Sequence, residues 1–209
     1  MARAFAGPLC RFFAGERGAP ITFVAGVEAW RSELARALGN NLRAPLLWSE
    51  DPTVPALWAD LGDAGWMALR LFALYAERSD LELPDTVPAL LELDRDWRSA
   101  HDQKFAKSNY GQLLACRCWL PAEFAFTARV PLPDGEAAEV GSLPVLRDQL
   151  RWLNQRTFAV DEADVAGWAQ EPAHAGGPLL PAAQRGFAGL WAVVSDALRR
   201  GVPVIVAET

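Results

Sequence analysis

Residues 101–111 concentrate residue types that are rare elsewhere in the chain. They include both lysines, Lys104 and Lys107, with one of the two histidines and one of the two tyrosines, and Arg117 follows closely. Lysine and arginine carry a fixed positive charge and several donors, and a tyrosine hydroxyl adds a further donor. These residues could together face a bound anion or an acidic partner. The candidate ligand-binding residues are His101, Lys104, Lys107, Tyr110 and Arg117.

A structural explanation of the same segment is simpler, and we favour it. Cations at a helix end complement the helix dipole while remaining solvated, so the lysines need not bind anything. His101 follows Trp97 by one helical turn, where a buried, hydrogen-bonded histidine is more common than a general base. If the chain has a polar site, this segment is where we expect it.

Cys116 and Cys118 are a second candidate site. On a strand, alternate residues point to one face, and with His101 and His174 the two sulfurs would complete a Cys2His2 metal site. The Cys-x-x-Cys spacing of common zinc and redox sites is missing, and cysteine is among the most buried residue types. We therefore expect core packing with no metal or other cofactor, and metal binding is the alternative.

Motifs that would fix a reaction are missing from the sequence. It has no glycine-rich phosphate loop after a strand, no Gly-x-Ser-x-Gly elbow and no His-Glu-x-x-His pair. The acidic residues between Glu92 and Asp102 could pair as acid and base. However, Asp94 and Arg98 have the spacing of an ordinary surface ion pair. The missing motifs favour a protein that is not an enzyme, but they do not decide the question.

Composition limits the class of protein further. The chain of 209 residues is long enough for one domain with a substantial core, and we predict a single domain over 1–209. Its formal charge of −6 argues against nucleic-acid binding, which requires a basic face. Eighteen arginines beside two lysines indicate a GC-rich, bacterial genome.

Three features of the sequence predict the cellular location of the protein. No apolar segment reaches the roughly 18 residues that a membrane span needs, and the start of the sequence does not have the form of a secretory signal. Three cysteines are too few for a disulfide framework. We expect a cytoplasmic protein that does not bind membranes.

Helices and strands must position these side chains. Helical spacing predicts a helix over 27–38 ending at Gly39 and a buried helix from Asp63 through Glu77. Asp51-Pro52 and Pro84-Asp85 each have the form of a helix start, and the second helix would carry His101. Two short apolar runs within residues 9–25 favour a strand pair.

The predicted sheet lies in residues 112–140. Residues 112–120 have the composition of a central strand, and 123–140 alternate as a hairpin that turns at Pro133-Asp134-Gly135. Ser142 then caps an amphipathic helix. A short helix over 161–169, a long helix over 182–200 ended by Gly201, and a returning strand at 204–206 complete the chain.

This order of elements predicts an α+β fold, with a small, mainly antiparallel sheet around residues 112–140 packed by five to seven helices. Nine tryptophans, an acidic surface and the missing catalytic motifs favour a non-enzymatic protein-binding module, such as an immunity-type or accessory protein. The competing hypothesis is a small-molecule enzyme or ligand-binding protein with a site near residues 101–119. Another protein is thus the expected partner, and homo-oligomerisation stays open.

Overall fold

A computed structural model describes residues 1–15, 18–171 and 173–208, and its framework is one mixed sheet of six strands. The strands are β1 (Arg3–Ala6), β2 (Leu57–Asp60), β3 (Cys118–Leu120), β4 (Ala128–Pro131), β5 (Ala137–Ser142) and β6 (Val204–Ala207). The described residues form eight α-helices: α1 (Leu9–Ala14), α2 (Ile21–Leu38), α3 (Asp63–Ala76), α4 (Arg95–Asp102), α5 (Gly111–Ala115), α6 (Leu143–Arg156), α7 (Glu162–Gly167) and α8 (Leu179–Arg200). The predicted helix-rich α+β fold is confirmed.

The strands lie in the order β2-β1-β6-β3-β5-β4. All neighbouring strands are antiparallel except β3 and β5, which run parallel. The sheet is therefore mainly antiparallel, as predicted. It extends well beyond residues 112–140, because β1, β2 and β6 continue it on one side.

Two hydrophobic clusters cover the two faces of the sheet. Helices α3, α6 and α8 pack on one face, and the pair α1 and α2 packs on the other. Alternation along β6 shows the division, since Val204 and Val206 belong to the first cluster and Ile205 to the second. We call these the α3 face and the α2 face.

Several predicted elements are confirmed together with their local chemistry. The Ser142 hydroxyl accepts a hydrogen bond of 3.4 Å from the Val145 amide and caps α6. Gly201 ends α8 in the left-handed conformation, with φ of 64°. β4 and β5 form the predicted hairpin. Helices α2, α3, α7 and α8 and strand β6 also lie where the apolar pattern predicts them, although α2 begins earlier than expected.

The strand predicted over 112–120 is wrong in its first half. Gly111–Ala115 form the helical turn α5, and only Cys118–Leu120 are extended. A short apolar run has no period that distinguishes a buried strand from a buried helix. The buried Gln112 side chain accepts a hydrogen bond of 2.7 Å from the Ser142 amide, and this distant contact helps to fix the helical turn beside β5.

The strand pair predicted within residues 9–25 is also wrong. Its two apolar runs belong to helices α1 and α2. Residues 16 and 17, in the middle of the predicted turn, lie outside the described residues. The first amides of α1 are bonded by the carboxylate of Glu50, a contact between distant parts of the chain that no local pattern reveals.

Asp51-Pro52 does not begin a helix. The Asp51 carboxylate accepts hydrogen bonds from the amide and hydroxyl of Thr53, at 2.8 and 2.7 Å, and the chain then enters β2. Aspartate suits turns as well as helix caps. The same residue types therefore predicted the wrong element.

The helix predicted from Pro84-Asp85 begins later than expected. It starts at Arg95, where the Asp94 carboxylate accepts a hydrogen bond of 2.7 Å from the Trp97 amide. Leu90 and Leu93, which the pattern placed on its apolar face, are 58 % and 65 % exposed. Only the part of the predicted helix that carries Trp97 and His101 exists.

Candidate functional site

An open cleft of about 750 Å³ lies beside the ends of β3, β4 and β5. Three charged side chains form a row along it, namely Arg117 just before β3, Glu139 on β5 and Arg129 on β4. Glu139 and Arg129 are register partners on β5 and β4, and the Arg117 amide donates to the Glu139 carbonyl at 3.0 Å. Adjacent strands are about 4.8 Å apart, so these side chains are close. The row presents two cations around one carboxylate.

Arg117 is held in one orientation by contacts on both sides. Its Nε donates to the carbonyl of Val206 at 2.9 Å, and its Nη1 lies 2.6 Å from the Glu136 carboxylate. The side chain remains 27 % exposed. Arg117 therefore offers the cleft a guanidinium whose position is already fixed.

Arg70 of α3 supplies a second, more deeply buried guanidinium. Its Nε and Nη2 donate to the Leu114 carbonyl at 3.1 and 2.7 Å. Its centre lies 5.2 Å from the ring of Trp66 and 4.9 Å from the ring of Trp97, which are favourable positions for a cation over an aromatic face. Burial lowers the pKa of Arg70, and the nearby Glu208 carboxylate opposes this shift. The cation is stabilised by aromatic rings and by one nearby anion.

The end of α4 forms a third side of the cleft. Lys104 and Phe105, which follow this helix, have φ of 53° and 52°. For two consecutive residues with side chains this left-handed backbone costs about 1–2 kcal/mol each. Phe105 is 4 % exposed and its ring lies 5.0 Å from that of Trp97. The buried Phe105 holds the strained turn that brings Lys104 to the cleft.

Asp94 fixes the start of the same helix. Besides capping α4, its carboxylate accepts a hydrogen bond of 2.9 Å from the Tyr75 hydroxyl on α3. Burial, followed by the bond to Asp94, raises the pKa of Tyr75, so the hydroxyl stays protonated and keeps donating into the alkaline range. This contact ties α4, with His101 and Lys104, to α3, which carries Arg70.

The lining of the cleft contains one more cation than carboxylates, and the Glu136 carboxylate that pairs with Arg117 lies just outside this lining. The lining contains four permanent cations and three carboxylates: Arg70, Lys104, Arg117 and Arg129, and Asp102, Glu139 and Glu208. Each arginine has a carboxylate within 4.0 Å. In the described part of the chain, the Lys104 side chain makes no hydrogen bond or ion pair. The arrangement therefore leaves one cation free to meet an anion.

Three of the five candidate residues line this cleft, namely His101, Lys104 and Arg117. Lys107 instead lines a smaller depression of about 250 Å³. Tyr110 is fully buried against Trp152, with 6.2 Å between ring centres, and its hydroxyl has no hydrogen-bond partner within the described residues. The left-handed turn at Lys104 and Phe105 redirects the chain, which separates these two residues from the other three.

The expectation that Cys116 and Cys118 share one face of a strand is wrong. Cys116 precedes β3 and packs on the α3 face, whereas Cys118 packs on the α2 face. Burial raises the pKa of Cys116 well above its ordinary value and raises that of Cys118 to about 12, so both are thiols at neutral pH. Among the described residues, no group of three or more His, Cys, Asp and Glu side chains is placed to hold a metal ion.

Four charged residues of the cleft were not considered in the sequence analysis: Arg70, Arg129, Glu139 and Glu208. Arg70 carries a usable signal, since it is the only cation in the otherwise apolar stretch from Ala64 to Ala76. A charge is rarely buried without a partner. The other three residues are separated along the chain and meet only because the sheet brings β4, β5 and β6 close to the same place.

Comparisons with protein families, with curated proteins and with solved structures found no match to this chain. In the part of the chain that the structure describes, no helix has the length and apolar character needed to cross a membrane.

Proposed function

We propose that this protein binds a small anionic molecule in the cleft beside α3 and α4. The observation that carries the proposal is the Lys104 ammonium, unpaired among the described residues, in a cleft that is also lined by the hydrogen-bonded guanidinium groups of Arg70 and Arg117. A volume of about 750 Å³ is in the usual range for small-molecule sites. Binding in place of catalysis is favoured because the cysteine that lines the cleft, Cys116, is held as a thiol by its raised pKa.

Backbone strain supports the same location. Lys104 and Phe105 adopt a conformation that glycine would adopt without cost. Such strain persists where the surrounding structure enforces it, and it is concentrated at binding and catalytic sites. Here the enforced turn places the unpaired cation at the cleft.

The test compares two lysine variants. Lys104→Met removes the free cation of the cleft, and Lys107→Met removes an equal charge from the same segment but outside the cleft. We expect calorimetry with inorganic phosphate, succinate and citrate to show at least one binder whose affinity falls about tenfold in the first variant, equivalent to about 1.4 kcal/mol. The second variant should change affinity less than threefold. No binding of any anion, or an equal loss in both variants, would contradict the proposal.

A second candidate function, binding of another protein, is favoured by a different surface. β2 lies at one edge of the sheet, and its Leu57 and Trp58 are 36 % and 39 % exposed. The Trp58 ring stacks on Phe12 with 5.9 Å between centres. An edge strand with exposed apolar side chains is a template for pairing with another chain.

A photo-crosslinking residue at position 58 tests this second function in a bacterial host. The control position is 152, since Trp152 is also a half-exposed tryptophan, at 42 %. One reproducible partner captured at 58 and not at 152 supports protein binding, and a second copy of this chain would indicate homo-oligomerisation. Equal capture at both positions contradicts it.

A cytoplasmic location and a bacterial origin are also part of the proposal. The cytoplasmic location is supported by three cysteines that are all free and buried, which fits a reducing compartment, and the bacterial origin by the excess of arginine over lysine.

A further inference from the structure

Arg70 and Trp66 form a ready position for one anionic oxygen at the edge of the cleft. The Trp66 indole donates a hydrogen bond of 2.6 Å to Glu208 Oε1, and Arg70 Nη1 lies 3.8 Å from the same oxygen. The other nitrogens of Arg70 already donate to the Leu114 carbonyl. The position therefore consists of one guanidinium nitrogen and one neutral indole donor, both fixed by packing.

The present occupant of this position is weakly held. The Glu208 side chain is 54 % exposed, whereas that of Arg70 is 17 % exposed. Among the described residues, the one hydrogen bond to the Glu208 side chain comes from Trp66, and the distance to Arg70 is that of a loose ion pair. A rotation of the Glu208 side chain toward solvent would vacate the position without moving β6.

The vacated position needs a negative charge. A buried guanidinium without an anion is strongly disfavoured, and Glu208 is the first of the anions that stabilise the Arg70 cation. A neutral molecule that displaced Glu208 would remove the first of these anions and leave Arg70 with the weaker attraction of Glu92. The incoming group must therefore replace the carboxylate with a similar one.

We infer that the ligand of the cleft carries a carboxylate that binds Arg70 and Trp66 in place of Glu208, and a second anionic group that pairs with Lys104. This inference rests on the proposed function and specifies its ligand class as a small molecule with a carboxylate and a second anionic group, for which succinate is the probe. One cation and one indole suit a singly charged carboxylate better than a phosphate dianion, which requires more donors. Glu208 then acts as an internal competitor for the site.

Succinate binding to the whole chain tests the inference through Glu208→Gln and a matched variant. Glu208→Gln removes the negative charge of the competitor, whereas Asp102→Asn removes an equal charge from the same cleft without changing the pair of Arg70. We expect calorimetry to show succinate binding about tenfold more tightly to Glu208→Gln than to the unmodified protein. The succinate affinity of Asp102→Asn should rise less than threefold, because this substitution changes only the electrostatic field of the cleft.

The Trp66 indole N–H gives a second, direct readout. Its resonance, assigned with Trp66→Phe, should shift in Glu208→Gln and return toward its original position when succinate is added. Equal gains for the two variants, or no response of this resonance, would overturn the inference while Lys104-dependent anion binding still stood. A gain for inorganic phosphate but not for succinate would overturn the ligand class. If no anion binds any variant, the proposed function fails first.

Discussion

The carboxylate of Glu50 accepts a hydrogen bond of 2.8 Å from the backbone amide of Cys10. Its other oxygen accepts one of 3.1 Å from Leu9, and the Trp48 indole donates to it as well. The amides of the first turn of a helix have no partners within that helix. Glu50 thus supplies from a distant loop the cap that the start of α1 lacks.

Replacement of this carboxylate should destabilise the fold. Glu50→Gln puts a donor where an acceptor is needed and leaves a buried amide unsatisfied, which costs about 2 kcal/mol. Urea unfolding followed by circular dichroism measures the loss. Glu123→Gln is the control, because Glu123 is 69 % exposed in a loose ion pair with Arg43, and it should change stability little. Equal losses would show that Glu50 does not cap α1.

The closest approach of α3 and α8 depends on Gly186. A methyl group there would lie 2.2 Å from the carbonyl oxygen of Gly65, so the helices must move apart in Gly186→Ala, at a cost of about 3 kcal/mol. Gly26, in the exposed part of α2, has open space around it. Gly26→Ala should therefore stabilise the protein by about 0.5–1 kcal/mol. Thermal unfolding of the two variants should give shifts of opposite sign, and two shifts of the same sign would contradict this packing.

The periodic spacing of apolar residues predicted the long helices, because each of them has a row of apolar side chains that must be buried. It failed where an element is short and its conformation depends on distant contacts. Residues 111–115 became helical beside the buried Gln112 side chain, which bonds to Ser142. The start of α1 depends on Glu50. Neither contact leaves a local pattern in the sequence.

The sequence predicted only part of the candidate site, and the reason is similar. The rare lysines indicated residues 101–117, and the structure brings His101, Lys104 and Arg117 to one cleft. The positive φ at Lys104 and Phe105 carries Lys107 and Tyr110 away from it, and no residue type at those positions indicates such a turn. Arg70 and Glu208 are 138 residues apart in sequence. They meet only because α3 packs on the face of the sheet that includes β6.

The strain at Lys104 makes a prediction that separates stability from binding. Lys104→Gly and Lys104→Met both lose the cation, but only glycine adopts φ of 53° without strain. We expect the glycine variant to be about 1 kcal/mol more stable than the methionine variant, as measured by urea unfolding. Both should bind the anion equally weakly in calorimetry. If the methionine variant is as stable as the glycine variant, the turn at Lys104 stores no strain.

Cys118 should make stability fall at alkaline pH. Burial raises its pKa from 9.0 to about 12, so the folded chain keeps the thiol proton over a range in which the unfolded chain releases it. Below pH 9 both states are protonated and the contribution is constant. As the pH rises from 9 toward 12, the unfolded state is favoured by up to about 1.4 kcal/mol per pH unit.

Urea unfolding at several pH values compares the unmodified protein with Cys118→Ala. The cavity left by the missing sulfur lowers stability at every pH, so the measured quantity is the slope and not the level. Above pH 9 the slope should be shallower in Cys118→Ala, because one thiol no longer titrates on unfolding. Tyr75, whose pKa is also raised, is present in both proteins and cancels in the difference. Parallel slopes would mean that the Cys118 thiol is accessible to water in the folded protein.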